Sequence, residues 1–170
     1  LSKLGVNELN PMQELMLSEY PTHRHIVLLS PTGSGKTLAY LLPLLQTIDS
    51  SSDALQALIV VPSRELAIQT QQVMRELSST LRSYACYGGR PTMDEHRVIR
   101  SLLPHVIVGT PGRILDHFNK ENFTSQHIHS FVIDEFDKCL ELGFQQQIAD
   151  VRQFLVNATK CVLLSATDSP

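Results

Sequence analysis

The chain has 170 residues, 42% of them hydrophobic, with 14 basic against 17 acidic side chains for a formal net charge of −3. That length suits one domain able to bury about 70% of its unfolded surface without a staple, and the charge balance excludes a global electrostatic case for nucleic acid, so any such contact has to be local. Cys86, Cys139 and Cys161 are too few and too far apart for a disulfide framework or a zinc site, and read as free thiols in a reducing cytoplasm.

The first element expected is a short amphipathic helix over Leu9 to Tyr20, with Asn10 as N-cap and Pro11 in the first turn. Gln13 lies on it, and its amide both donates and accepts, the pairing that an adenine edge asks for; a glutamine on a surface helix would look the same. An apolar run, Ile26 to Leu29, then leads into Ser30-Pro31-Thr32-Gly33-Ser34-Gly35-Lys36-Thr37, followed by a helical run from Leu38 to about Ile48. Strand, glycine-bearing loop and helix start together form a phosphate cradle, in which Gly33 and Gly35 let backbone N–H groups converge on an anion. Lys36 supplies a charge for the outer phosphates, and Thr37 a hydroxyl placed to bind Mg²⁺. Ser30 stands where the strict pattern has glycine, so the match rests on Gly35-Lys36-Thr37 and its context. The apolar stretch Leu38 to Leu45 is far short of the ~20 residues of a membrane span, and no secretory leader is expected.

The same figure recurs down the chain. Leu58 to Val61 ends at Pro62 and gives way to Arg64-Glu65-Leu66-Ala67 and a helix to about Leu77. Tyr84 to Tyr87 ends at Gly88-Gly89, Val106 to Val108 at Gly109-Thr110-Pro111-Gly112-Arg113, Phe131 to Ile133 at Asp134-Glu135, and Val162 to Leu164 at Ser165-Ala166-Thr167. Helical stretches lie between them over Asp94 to Leu103, Arg113 to Phe118 and Gln145 to Leu155. Apolar runs without alternation imply strands buried on both faces, and helical crossovers imply an α/β fold with a mostly parallel sheet and helices on both faces. Every segment that follows a strand then gathers on one rim, where such folds bind ligands.

Asp134-Glu135-Phe136-Asp137 would put carboxylates on that rim beside a metal held by Thr37, although acids after a strand also serve as helix caps. Arg64, Gly88-Gly89 and Thr110 to Arg113 are suited to gripping phosphates without reading bases; turns whose arginines pair with nearby carboxylates are the alternative.

Taken together, these motifs make the chain resemble the first RecA-like domain of a DEAD-box ATP-dependent RNA helicase over nearly its whole length. Ser30 to Thr37 resembles the family's phosphate loop, Pro62 to Ala67 its Pro-Thr-Arg-Glu-Leu-Ala segment, Asp134 to Asp137 its Asp-Glu-Ala-Asp box, and Ser165-Ala166-Thr167 its coupling segment. The resemblance implies that Gln13 selects adenine, that Thr32, Gly33, Ser34, Gly35, Lys36 and Thr37 bind ATP, and that Thr37 and Asp134 hold Mg²⁺. It implies Lys36, Asp134 and Glu135 as the catalytic groups, with Glu135 orienting or deprotonating the attacking water. Arg64, Gly89, Thr110, Gly112 and Arg113 would track one RNA strand, and Asp137 would meet Ser165 or Thr167 to couple hydrolysis to RNA remodelling. A second RecA-like domain of the same chain is implied as partner, and the piece itself as monomeric and nearly inactive in hydrolysis. Val6, Leu9 and Asn10 depart from the family's adenine signature, Ser30 and Ser63 are small replacements for Ala and Thr, and Phe136 replaces the Ala of the box. Phe136 keeps open a second reading, an ATP-gated RNA clamp with little turnover.

Overall fold

The computed structural model describes residues 8–31 and 33–166. Six strands, β1 (His25–Leu29), β2 (Ala57–Val60), β3 (Ser83–Cys86), β4 (Val106–Gly109), β5 (Ser130–Ile133) and β6 (Lys160–Ser165), form one sheet in the order β1-β6-β5-β2-β4-β3. Every pairing in it is parallel. The helices are α1 (Pro11–Glu19), α2 (Lys36–Gln46), α3 (Arg64–Leu77), α4 (Thr92–Leu102), α5 (Pro111–Asn119), α6 (Phe136–Glu141) and α7 (Gln145–Phe154). The expected fold class is the observed one, and element boundaries fall within a few residues of those read from the sequence.

Alternation within each strand divides the core between the two faces of the sheet. On β2, Ala57 and Ile59 pack with Met16, Tyr40, Leu44, Ala67 and Met74 of α1 to α3. Leu58 and Val60 point the other way, toward Ile99, Ile114, Phe118, Cys139 and Val151 of α4 to α7. Cys86 and Cys139 are buried and Cys161 half-buried, all three as free thiols whose pKa burial pushes up.

One expectation needs correction. Burial on both faces holds for β2 to β5, but β1 alternates exposed and half-buried residues, and β6 is buried only at Val162 and Leu164. β1 is an edge strand, and Val27 (64% exposed) and Leu29 (60%) are uncovered on the face that α4 to α7 cover elsewhere. An apolar run therefore identifies a strand without saying which of its faces has a partner. Two elements had no signal in the reading, a 3₁₀ turn at Tyr20–Thr22 and the six-residue α6.

This strand order sets the cost of truncation. Ile59→Ala, in the centre of the sheet and fully buried, is expected to lose about 2–5 kcal/mol, whereas Val27→Ala on the exposed edge should lose under about 1 kcal/mol. Chemical denaturation of the two variants would check the order; equal losses would contradict it.

Candidate functional site

The phosphate loop leaves β1 and enters α2 at Lys36, with Gly35 as N-cap in the left-handed region (φ 87°). The backbone angle demands glycine at Gly35, and a Cβ there would also come within 2.6 Å of Gln13 Nε2 and displace that side chain. That crowding exists because the capping box of α1 also clamps the loop. Asn10 Oδ1 accepts from the Gln13 N–H (2.9 Å) and Gln13 Oε1 accepts from the Asn10 N–H (3.0 Å). The remaining donors reach across: Asn10 Nδ2 donates to the Ser34 carbonyl (2.9 Å) and Gln13 Nε2 to the Gly35 carbonyl (3.2 Å). Gln13 is thus buried and seated on the phosphate loop rather than on a solvent-facing helix surface. Inside the loop the Ser30 and Ser34 hydroxyls are hydrogen-bonded, and Ser34 Oγ also reaches the Pro31 carbonyl. Thr32 and Thr167 lie outside the described residues.

Parallel pairing carries the acidic box to the same place. Lys36, Thr37, Asp134, Glu135 and Asp137 line one cavity of about 160 Å³, with Gly33 and Gly35 on one side and Ala166 on another. Asp134 is 3% exposed, and burial pushes its carboxyl up to about 6. The Glu135 N–H donates to Asp134 Oδ1 (2.8 Å) and Lys36 lies near, but neither offsets the desolvation, and the Glu135 charge adds to it. Behind Asp134 lies the fully buried Tyr40 hydroxyl, and burial together with the Asp134 charge holds its pKa well above the usual value. Glu135 has φ 50°, a left-handed conformation that an L side chain adopts at a cost of about 1–3 kcal/mol. Phe136 faces away, into an apolar groove with Phe131, Ile133, Leu140, Ile148 and Leu163.

The coupling segment adjoins the loop through the backbone, since the Ser30 N–H donates to the Ser165 carbonyl (3.1 Å) and Leu29 pairs with Ser165 in register. Among the described residues no hydrogen bond joins Asp137 to Ser165.

Farther along the rim, Arg64 is exposed at the start of α3, which Ser63 caps by accepting from the Leu66 N–H (3.2 Å). Its guanidinium lies 5.9 Å from the Tyr87 ring centre, and Gly89, exposed at φ 98°, sits against it. Thr110 caps α5 without a side-chain hydrogen bond, and Gly112 is exposed in the first turn. Arg113 differs from these. Its side chain is 13% exposed, and the guanidinium donates to Glu95 Oε1 (3.2 Å), Thr92 Oγ1 (3.1 Å) and the Arg90 carbonyl (2.8 Å), so the alternative of a locally paired arginine is the geometry found there.

The sequence reading missed Glu95, His105 and His117, each 0% exposed. Glu95 was detectable: it lies four residues before the buried Ile99 on the inward stripe of an amphipathic helix, where an acid needs internal partners.

The family model described as DEAD/DEAH box helicase matches residues 10–169. The chain belongs to that family. A DEAD-box ATP-dependent RNA helicase CshA of Geobacillus kaustophilus is 35% identical over 98% of this chain and 36% of its own length. The eukaryotic initiation factor 4A of Drosophila melanogaster is 41% identical over 86% of this chain and 37% of that protein. A crystal structure of a DEAD box protein from Methanococcus jannaschii superposes with a TM-score of 0.86 at 29% identity, over 93% of this chain and 44% of that one. The yeast splicing factor Prp28, at 24% identity and a TM-score of 0.89, supports the fold alone. The chain spans about a third of the length of the curated relatives it matches. No helix among the described residues is long and apolar enough to cross a membrane.

Asp134 generates a pH prediction for the ligand-free protein. Its folded pKa lies above the unfolded value, so the folded state holds the extra proton between 3.8 and about 6. Its contribution is therefore fully present below that window and is lost as pH rises through it, by about 3 kcal/mol. Asp134→Asn should remove this slope and raise the thermal midpoint above pH 6 by several degrees. Melting curves of both proteins across the window decide it, and parallel curves would mean that Asp134 is not desolvated.

Proposed function

We propose that this chain is the ATP-binding part of an ATP-dependent RNA helicase, coupling Mg-ATP binding and hydrolysis to separation of short RNA duplexes or removal of proteins from RNA. The observation that carries the reading is the shared cavity of Lys36, Thr37, Asp134 and Glu135. The residues fit a magnesium ion in kind. Thr37 and Asp134 offer oxygen donors, and no cluster of three or more His, Cys, Asp or Glu among the described residues suits a metal held by protein alone. Mg²⁺ is bound that way, by one or two protein oxygens with phosphates and waters completing its shell. Thr37 and Asp134 would hold it; when bound, the ion neutralises charge on the transferring phosphoryl group.

The chain's own groups then divide the work. Backbone N–H groups of Gly33 to Thr37 and the Lys36 ammonium cradle the phosphates, and Glu135 orients the attacking water. Gln13 keeps one N–H and one lone pair beyond its two hydrogen bonds, which suit the adenine edge. Arg64, Gly89, Thr110 and Gly112 face a single RNA strand and contact phosphates and 2′-hydroxyls, with Arg113 behind them. Asp137 and Ser165 with Thr167 relay the state of the phosphate site to that strand. A second RecA-like domain would complete both sites and supply an arginine finger, worth about 10³ to 10⁵ in rate. A cytoplasmic location goes with this reading.

The test is ATP hydrolysis by the full-length protein with and without single-stranded RNA or DNA, against Lys36→Ala. RNA-selective stimulation of about tenfold or more, abolished in the variant, is the expected result. Nucleotide and RNA binding with turnover no higher than that of Lys36→Ala would replace the enzyme with an RNA clamp. DNA stimulating as well as RNA would point to a translocase of the same fold.

A further inference from the structure

Glu95 is the most completely paired charge in the described structure, and it is far in the chain from the acidic box. Each of its carboxylate oxygens takes two donors. Oε2 accepts from the Tyr87 N–H (3.0 Å) and Arg90 Nε (2.9 Å), and Oε1 from Arg113 (3.2 Å) and His117 Nε2 (2.9 Å). His117 bridges two neighbours, with Nε2 hydrogen-bonded to Glu95 and Nδ1 to the Asn122 amide (2.9 Å). A second layer ties the donors to one another. Arg113 donates to the Arg90 carbonyl (2.8 Å), Arg90 to the Ala85 carbonyl (2.7 Å), and Thr92 Oγ1 to Asp116 (2.7 Å). Arg90 also lies 4.3 Å from the Tyr87 ring centre.

We propose that Glu95 is a positioning residue for RNA binding: its buried carboxylate locks the Tyr87–Arg90 turn to the amino end of α5, fixing Gly89, Thr110 and Gly112 as one surface. The proposal rests on the RNA reading above. Burial alone would push the Glu95 carboxyl up, but the bonds from His117, Tyr87 and Arg90 and the Arg113 charge outweigh it and hold the group below the usual range. A buried ion pair is poor evidence for stability, because apolar side chains of equal volume often stabilise as well. What four convergent donors add is a fixed geometry, and the donors come from the segments that carry the exposed glycines and the uncapped α5 terminus.

The test uses the full-length protein, a single-stranded oligouridine and a non-hydrolysable ATP analogue. Glu95→Gln keeps the shape but can no longer accept from all four donors. The expected result is an RNA Kd and an RNA KM for hydrolysis raised about tenfold or more, with kcat at saturating RNA and analogue affinity within about twofold. If Glu95→Gln does not fold, Arg90→Met, at a partly exposed position, decides instead with the same KM effect expected. The slope of affinity against salt should then stay unchanged, since a lost phosphate contact would lower it by about one. RNA binding by wild type with either folded variant equal to it overturns the positioning role alone. Equal losses of RNA and nucleotide affinity overturn it as well, in favour of a merely structural acid. Failure of wild type to bind RNA instead removes the reading on which the proposal rests.

Discussion

Parallel alignment of six strands is the constraint from which the rest follows. When every strand runs the same way, every carboxyl end opens on one edge, and the chain must return by a crossover before the next strand can begin. Residues remote in sequence, such as Lys36 and Glu135, are delivered to one cavity by backbone register. The neighbours matter as much as the direction. β6 lies between β1 and β5, so the coupling segment leaves the sheet between the phosphate loop and the acidic box, and Ser165 accepts directly from Ser30.

Much of this was legible in the residues because the signals were local. Apolar runs ended by glycine, proline or an acid locate strands and their carboxyl ends, and the phosphate loop declares its own conformation through Gly35-Lys36-Thr37. What was not legible depends on partners distant in the chain. β1 and β2 read alike as apolar runs, yet one is a sheet edge and the other its centre, since strand order is not written in either segment. Arg113 and Arg64 also read alike as basic residues after a strand. One is folded back on Glu95 while the other stands exposed beside Tyr87, and the difference comes from a glutamate two elements away.

The amino-terminal helix shows how a departure from a motif can still support it. Asn10 departs from the family's adenine signature, but an asparagine side chain both accepts and donates. It therefore caps α1 through Oδ1 while holding the Ser34 carbonyl through Nδ2, a geometry that joins helix start and phosphate loop in one hydrogen-bonded unit. Phe136 departs from the box in a similarly tolerable way. Its side chain lines an apolar groove away from the cavity that Asp134, Glu135 and Asp137 share, so its bulk bears on packing under α6 and α7 rather than on the spacing of the carboxylates.

Two acids buried in the same domain illustrate the logic of its electrostatics. Glu95 and Asp134 both lose their water, and desolvation raises the cost of ionisation for each. Four donors meet Glu95, so its charge is satisfied from within and its pKa falls. For Asp134 desolvation wins: one backbone N–H, a nearby lysine and the Tyr40 hydroxyl do not offset it, the Glu135 charge adds to it, and its pKa rises. An acid whose partners are all supplied by the fold can only hold structure in place. An acid left short of partners at the wall of a cavity retains capacity for a cation from outside, and a divalent ion arriving with phosphates would provide what the fold withholds. The same desolvation thus leaves one carboxylate fully paired within the fold and the other short of partners at the wall of a cavity.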